Sequence, residues 1–223
     1  MADVVVFGIG QWAELAHLYL SHDSPHDVVS FTVDRSYMQG VQYKGLPVVP
    51  FEEIENDYPP NRYQMFIPIS FRKMNHNRAG KYYEAKRRGY QLISYVSSKA
   101  TIGPDFRCGD NCFILEDNTI QPFVEIGNDV VMWSGNHVGH HSKIKDHVTL
   151  SGHAVISGSC TIEEYCFMAP RSTVRDHTVI ARETLVGMGV TILKNTKEFE
   201  VYHLPIAKPS RLRSDQLPEF LFK

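Results

Sequence analysis

The stretch VGHHSKIKDHVTLSGHAVISGSCTI, residues 138–162, carries an aliphatic residue at every sixth position. The same spacing continues in both directions without a break, so that sixteen positions in one phase, from Ile102 to Ile192, are all apolar. A second series lies two residues earlier in each repeat and holds mostly small or β-branched side chains, such as Cys112, Val130 and Ala154. The alternation of an ordinary sheet has period two and does not produce a six-residue ladder. The pattern therefore indicates one short strand and one corner in each repeat.

Three such repeats close one triangular coil of 18 residues, with the large aliphatic side chain on the axis. We therefore predict a left-handed parallel β-helix of about five coils over residues 102–192, in which each coil hydrogen-bonds to its neighbours. Glycine often follows the aliphatic residue, and we expect it at corners that need a positive φ. These glycines are Gly103, Gly109, Gly127, Gly139 and Gly187.

The residues before the ladder have the pattern of an α/β domain. A buried strand, Val4–Phe7, leads into Gly8-Ile9-Gly10-Gln11 and a helix over Glu14–Leu20, and a second strand, Val28–Val33, ends at Asp34. This order is that of the first unit of a Rossmann-like dinucleotide fold, which consists of a strand, a glycine turn, a helix, a second strand and an acidic residue. The turn lets the backbone approach a phosphate. The same pattern also fits a structural turn without a ligand, so both interpretations stay open here.

The rest of this domain alternates further strands and one helix, and after the ladder the pattern stops. We predict three parts: an α/β domain over residues 1–96, the β-helix over residues 97–194, and a tail over residues 195–223 that packs on the last coils. Further strands are predicted over Pro47–Val49, Met65–Ile69 and Gln91–Val96, and a helix over Arg78–Arg88.

Composition excludes several classes of protein. The net charge is −2 with 43% hydrophobic residues, and there is no long basic run, which argues against binding to nucleic acid or to a membrane surface. No stretch is long and apolar enough for a membrane span, and the first residues read as a strand rather than a signal peptide. The four cysteines have no CxxC spacing, so we expect reduced, buried thiols in a cytoplasmic protein. They are Cys108, Cys112, Cys160 and Cys166.

Histidines are dense around the middle coils. His140 and His141 fall between Val138 and Ile144, which the ladder points inward, so we expect both histidines at an accessible corner. A histidine there can serve as a general base near neutral pH. We expect His147 and the equivalent His153 to be solvated on the surface.

In these motifs the chain resembles the bacterial nucleotide-sugar acyltransferases of the left-handed β-helix superfamily. That family is typified by the N-acetyltransferases of bacillosamine and perosamine synthesis and by sialic-acid O-acetyltransferases of the same type. The resemblance covers nearly the whole chain and is carried by short motifs in each part. They are Gly8-x-Gly10, the Ser70 turn, Asn75-x-Asn77-Arg78, Ser97–Gly103, the run Gly139–Asp146, and Pro205-Ile206-Ala207-Lys208.

The resemblance implies roles for individual residues. His140 is the expected base that takes a proton from a sugar amine as the amine attacks acetyl-CoA or another acyl-CoA directly, and the N–H of Gly158 is an expected oxyanion donor. His141 is grouped with His140 as catalytic, although it stands where the family has an acid. Substrate contacts are implied for Gly8, Gly10, Gln11, Asp34, Ser70, Asn77 and Trp133. CoA contacts are implied for Thr149, Gly158, Ala169, Pro170, Gly187, Lys194 and Lys208.

The sequence departs from the family at two further positions, since Thr149 stands in place of a histidine and Trp133 in place of a polar residue. The resemblance predicts a homotrimer with active sites between chains, acting on a UDP-, dTDP- or GDP-linked amino deoxysugar for bacterial surface glycans, without a metal. An O-acetyltransferase of the same build and a non-catalytic nucleotide-binding scaffold remain as alternatives. A β-helix zinc enzyme is disfavoured, because it needs two histidines five residues apart, and the ladder has no such pair.

Overall fold

The protein is described by a computed structural model over residues 2–205, and it begins with a five-stranded sheet. The strand order is β3-β4-β2-β1-β5, and all neighbours are parallel except the short hairpin partner β3. The helix predicted over Glu14–Leu20 is longer at both ends. The elements are β1 (Asp3–Phe7), α1 (Gln11–Asp23), β2 (Asp27–Val33), β3 (Gln42–Tyr43), β4 (Leu46–Pro50), α2 (Ile54–Asp57), β5 (Gln64–Phe66) and α3 (His76–Arg87), with 3-10 turns at Arg35–Tyr37 and Phe51–Glu53.

Strand β1 explains why this sheet forms. Val4, Val5 and Val6 are fully buried, because Val4 and Val6 face one apolar cluster while Val5 faces another on the opposite side. A strand covered on both faces needs a continuous apolar run rather than alternation, as this sequence has. The sheet therefore lies between two layers, one of which includes the β-helix itself.

The remaining strands are two residues long and stack into three parallel sheets. From β6 to β21, each paired residue lies 18 positions from its partner, as Phe113 does from Val131 and His137 from Val155, whereas Leu185 of β20 pairs with Val201 of β22 after 16 positions. This register fits a left-handed β-helix. The first sheet holds β6 (Tyr95–Val96), β8 (Phe113–Ile114), β11 (Val131–Met132), β14 (Thr149–Leu150), β17 (Phe167–Met168), β20 (Leu185–Val186) and β22 (Val201–Tyr202). The second holds β7 (Thr101–Ile102), β9 (Thr119–Ile120), β12 (His137–Val138), β15 (Val155–Ile156), β18 (Thr173–Val174) and β21 (Thr191–Ile192). The third holds β10 (Glu125–Ile126), β13 (Lys143–Ile144), β16 (Thr161–Ile162) and β19 (Val179–Ile180).

The aliphatic ladder forms the axis of this prism. Every ladder residue from Ile114 to Ile192 is buried, whereas Ile102 is 40% exposed and Cys108 is partly exposed at the open first coil. The segment Gln91–Val96, predicted as the last strand of the α/β sheet, reaches that sheet only in its first half, where Leu92 forms a parallel bridge with Met65 of β5. Its last two residues form β6 and pair with β8 of the β-helix, so the coils start one repeat before Ile102.

The corners correct the expectation about glycine. From Ile114 onward, positive φ falls three residues before each ladder position, on residues such as Asn111, Asp129 and His141. The glycine after the aliphatic residue lies outside that region at Gly103, Gly109, Gly127, Gly139 and Gly187. A Cβ on Gly139 would stand 2.5 Å from the backbone nitrogen of Gly158 in the next coil. Glycine is needed there because the coils approach closely, not because of φ.

The α/β domain covers one sheet of the prism. Phe66 packs edge-on against Phe113 at 5.3 Å, and Trp12 of α1 packs edge-on against Trp133 at 5.1 Å. The second and third sheets receive no such cover within residues 2–205, and Lys143 and Val155 on them are exposed. None of the helices in this part of the chain is long and apolar enough to cross a membrane.

Candidate functional site

His140 and His141 lie together on the corner between the second and third sheets. Strand β12 ends at Val138 and β13 begins at Lys143, and the left-handed φ of 58° at His141 turns the chain between them. Both side chains are exposed, and their Nδ1 atoms are 3.1 Å apart. The backbone N–H of His140 donates to Oε1 of Gln121 at 2.8 Å, which fixes the corner to the coil before it.

Gly158 lies against the ring of His140 on the following coil. A Cβ built on Gly158 would stand 2.9 Å from Cε1 and 3.0 Å from Nε2 of His140, so a larger residue there would displace the ring from this position. The carbonyl of His140 accepts the N–H of Ser159 at 2.8 Å. Within residues 2–205 the N–H of Gly158 has no acceptor. The corner therefore combines a histidine ring with a free backbone donor, as a base and an oxyanion site require.

A cavity opens beside the same corner, on the two coils before His140, and it is lined by residues 103–109 and 121–126. It has a volume of about 720 Å³, and the Phe123 ring on its wall is 4.7 Å from the ring of His141. The same wall includes Gln121, which holds the backbone of His140. The lining is largely apolar, so the cavity suits the less polar part of a ligand that reaches His140.

The glycine turn lies in the other domain, at the carboxyl edge of the parallel sheet. Gly8 has a φ of 110°, and its N–H donates to the carbonyl of Thr32 at 2.6 Å. Gly10 is exposed at the start of α1, where an added Cβ would meet nothing within 4 Å. The exposed Gln11 is the first residue of that helix. In parallel sheets this edge is where ligands bind.

Three further predicted residues collect at this edge or close to it. Asp34 follows β2, and its Oδ1 accepts a hydrogen bond of 2.6 Å from Lys81 of α3. Ser70 lies in the loop after β5, and Asn77 is exposed in the first turn of α3. Trp133 reaches the same neighbourhood from the β-helix, because its ring contacts Trp12 beside Gln11. Lys81 was not predicted, although a lysine on the helix that faces Asp34 is a signal for such a pair.

A buried polar cluster joins α3 to the β-helix, and it changes the predicted roles of two residues. Arg78 is fully buried, and its Nε is 3.0 Å from Oδ1 of Asp129, which also accepts from Asn111. His147 is buried as well, with Nδ1 2.8 Å from Oδ2 of Asp129. The solvated surface position expected for His147 is wrong. The hydroxyl of Thr149 is fully buried too, so it offers CoA no surface, and that prediction is corrected.

Thr149 serves this cluster instead. Its Oγ1 donates to Oδ1 of Asn75 at 2.7 Å and accepts from Arg78 at 3.2 Å. Asn75 in turn donates to the carbonyls of Tyr165 and Cys166. A buried charge needs a partner and satisfied hydrogen bonds, and the cluster supplies both. It therefore anchors the two domains to each other.

The other residues predicted for CoA lie on the later coils. Lys194 is exposed and follows β21, on the same edge as His140 and Gly158. Ala169 and Pro170 follow β17 and Gly187 follows β20, so these three lie on the adjacent edge, and Ala169 is buried. Lys208 lies outside the described residues. The chain thus places its predicted CoA contacts along two edges of the prism.

One chain keeps the predicted base and the predicted nucleotide site apart. The α/β domain covers the first sheet, whereas His140 lies on the corner between the two other sheets. Among residues 2–205, no three His, Cys, Asp or Glu side chains are placed to hold a metal ion. Of the four free thiols, Cys108 is partly exposed, and burial raises the pKa of Cys166 to about 12.

Solved structures share this whole architecture. The chain is similar to PerB from Caulobacter crescentus, solved with CoA and GDP-perosamine, at 19% identity and a TM-score of 0.79 over 90% of this chain and 93% of that one. It is also similar to the acetyltransferase domain of PglB from Neisseria gonorrhoeae in complex with acetyl coenzyme A, at 18% identity and a TM-score of 0.77 over 89% and 94% of the two chains. WeeI from Acinetobacter baumannii matches at 16% identity and a TM-score of 0.75 over 90% and 96%. No family model matches the sequence. At these identities the likeness establishes the fold.

Proposed function

We propose that this protein is a CoA-dependent N-acyltransferase that acylates the amino group of a nucleotide-linked amino deoxysugar, with acetyl-CoA as the donor. The observation that carries the proposal is the His140 ring lying against Gly158, whose N–H is free, on an exposed corner. The proposal is supported by the fold shared with PerB, which was solved with CoA and GDP-perosamine, and with the PglB domain, which was solved with acetyl coenzyme A.

The reaction needs one base and one oxyanion donor. The sugar amine attacks the thioester carbonyl carbon while Nε2 of His140 takes the amine proton, and the N–H of Gly158 donates to the oxyanion. Collapse of this intermediate breaks the carbon–sulfur bond and expels the CoA thiolate. The protonated His140 then gives its proton to the sulfur, so the products are an amide and free CoA.

The α/β domain is proposed to hold the nucleotide. A diphosphate would lie against the backbone of Gly8 and Gly10 at the start of α1, where the helix dipole favours negative charge. Asp34, Ser70 and Asn77 would contact the nucleoside, beside Gln11 and Trp133. CoA would lie along the later coils and contact Pro170, Gly187 and Lys194. Lys208 of the tail and Ala169 would complete this binding surface.

A homotrimer completes this site in the proposal. Because the turn and His140 lie on different sides of one chain, a nucleotide sugar held by one chain would reach the base of another. The reaction would take place in the cytoplasm and supply a bacterial surface glycan.

Complementation between two variants tests the shared site. In Gly10→Asp a carboxylate would enter open space and repel a diphosphate, while His140→Ala removes the base. Each variant alone is expected to be inactive. Co-expressed at equal levels, they should regain about a quarter of the wild-type rate, because about one interface in four pairs an intact turn with an intact base. A monomeric mass, or no regain in a mixed oligomer, contradicts the shared site.

A substrate screen tests the function itself. Acetyl-CoA is incubated with UDP-, dTDP- and GDP-linked amino sugars, and in parallel with nucleotide sugars that carry only hydroxyl groups, and thiol release is followed for the wild type, His140→Ala and the matched control His153→Ala. We expect release with an amino sugar, loss of at least a hundredfold in His140→Ala, and no loss in the control. Release with only hydroxyl acceptors would replace the proposal with O-acylation. Nucleotide binding without any release would favour a scaffold.

A further inference from the structure

His141 stands beside the proposed base without a carboxylate partner. Its Nδ1 is 3.1 Å from Nδ1 of His140, and the two rings are nearly perpendicular at 85°. Within residues 2–205, neither histidine ring has another hydrogen-bond partner. The neighbouring groups on the packed elements are uncharged except for one ion pair on the third sheet. They are Gln121 and Phe123 on the coil before, Gly158 and Ser159 on the coil after, and the pair Lys143–Glu125 at 3.0 Å.

The contact between two Nδ1 atoms restricts the tautomers. A hydrogen bond needs one donor and one acceptor, so of two neutral rings only one carries its proton on Nδ1. If His140 donates from Nδ1, its Nε2 keeps a lone pair. If His141 donates, the proton of His140 sits on Nε2, and the ring cannot accept a proton from a substrate through that atom. The atom that lies beside Gly158 is Nε2, so the direction of this bond decides whether His140 can act there.

We propose that His141 is a positioning residue whose Nδ1 accepts the Nδ1–H of His140 and so keeps the Nε2 lone pair beside Gly158. The role rests on the proposed function of His140 as a base. His141 replaces a carboxylate with an uncharged acceptor, so it fixes the tautomer and the ring plane without adding a negative charge. One extra proton on either ring disables the base. A protonated His140 has no lone pair left on Nε2, and a protonated His141 donates from its Nδ1, so that the single proton of His140 lies on Nε2.

The corner itself supplies well-matched variants. From Ile114 onward, the position three residues before each ladder residue has left-handed φ, and it holds Asn111 at 54°, Glu183 at 56° and Phe123 at 66°. His141→Asn, His141→Glu and His141→Phe therefore have precedents in the same backbone conformation. Asparagine and glutamate retain an acceptor, and phenylalanine retains a ring without one.

The first experiment needs no substrate. Nitrogen-15 NMR of the full-length wild type near pH 8, with assignment by His140→Asn and His141→Asn, reports which nitrogen of each ring carries the proton. We expect the proton of His140 on Nδ1 and that of His141 on Nε2. In His141→Phe we expect His140 to become a mixture of both tautomers. A wild-type His140 protonated on Nε2 overturns the proposal.

The second experiment uses the pH dependence of thiol release with the acceptor found in the screen. We expect kcat of His141→Phe to fall at least tenfold with KM within twofold, and His141→Asn to keep most of kcat. In His141→Glu the acid limb should move to higher pH by about one unit, because a carboxylate favours the charged imidazolium. His153→Phe, at an equivalent corner with a φ of 60°, should change none of these values. Wild-type kcat in His141→Phe with an unchanged melting temperature contradicts the positioning role. If no acceptor supports thiol release while the tautomers are as expected, the proposed function fails and the pairing stands.

Discussion

Gly158→Ala separates the geometry of the proposed base from the stability of the fold. The new methyl group would stand 2.9 Å from Cε1 of His140, whereas carbon atoms pack best at about 3.5–4.0 Å. The ring must therefore move by about 0.6–1 Å, and it can do so because it is exposed at a corner. A misplacement of about 1 Å costs about a hundredfold in rate when the reacting atoms must be aligned.

We therefore expect kcat of Gly158→Ala to fall between about tenfold and a hundredfold, with a melting temperature close to that of the wild type. Steady-state thiol release at saturating acetyl-CoA measures the first quantity, and calorimetry measures the second. The backbone N–H of residue 158 survives the substitution, so the loss reports on the ring rather than on the oxyanion donor. A kcat within twofold of the wild type would refute the placement of His140 against Gly158.

Three further substitutions test the fold that carries the site. Asp129→Asn leaves the buried Arg78 without its charged partner and should lower the free energy of unfolding by about 3–5 kcal/mol in urea titrations, whereas the exposed control Asp176→Asn should not. The methyl group of Gly139→Ala would clash with backbone atoms of the next coil, which cannot move aside as an exposed ring can. This substitution should therefore lower the free energy of unfolding by about 1–3 kcal/mol, in contrast to Gly158→Ala. Hydrogen bonds from Ser98 and Tyr95 lower the pKa of Asp23 to about 2, so its stabilising effect is present above the ordinary pKa of 3.8 and lost as pH falls through 2. Asp23→Asn should therefore be less stable than the wild type at pH 6, and the difference should shrink toward pH 2; a difference independent of pH contradicts this linkage.

The ladder was predictable because an unbroken register ties sequence spacing to space. Residues 18 apart lie one above the other, so the spacing of His140 and Gly158 already places the glycine one coil above the histidine. Inward burial of Val138 and Ile144 likewise follows from the six-residue period. Both the stacking of the coils and the burial of the ladder residues follow from the period of the repeat.

Features that depend on contact between distant segments were not predictable in the same way. His147 and Thr149 occupy positions of the repeat that face away from the axis and would be exposed in an isolated β-helix. Helix α3 covers both residues and places Arg78 against Asp129. The role of glycine at Gly139 depends on how closely two coils approach, which spacing does not reveal. The partner of β6 also depends on which sheet the chain reaches first after the α/β domain.

The central claim is that His140 catalyses transfer of an acyl group from CoA to a sugar amine. Mass spectrometry of a nucleotide-linked amino sugar, incubated with acetyl-CoA and either wild type or His140→Ala, tests it most directly. We predict that the wild type converts the sugar to its N-acetyl product with one equivalent of free CoA, and that His140→Ala leaves it unchanged over the same time. Equal conversion by both proteins, or no conversion of any amino sugar by the wild type, would contradict the claim.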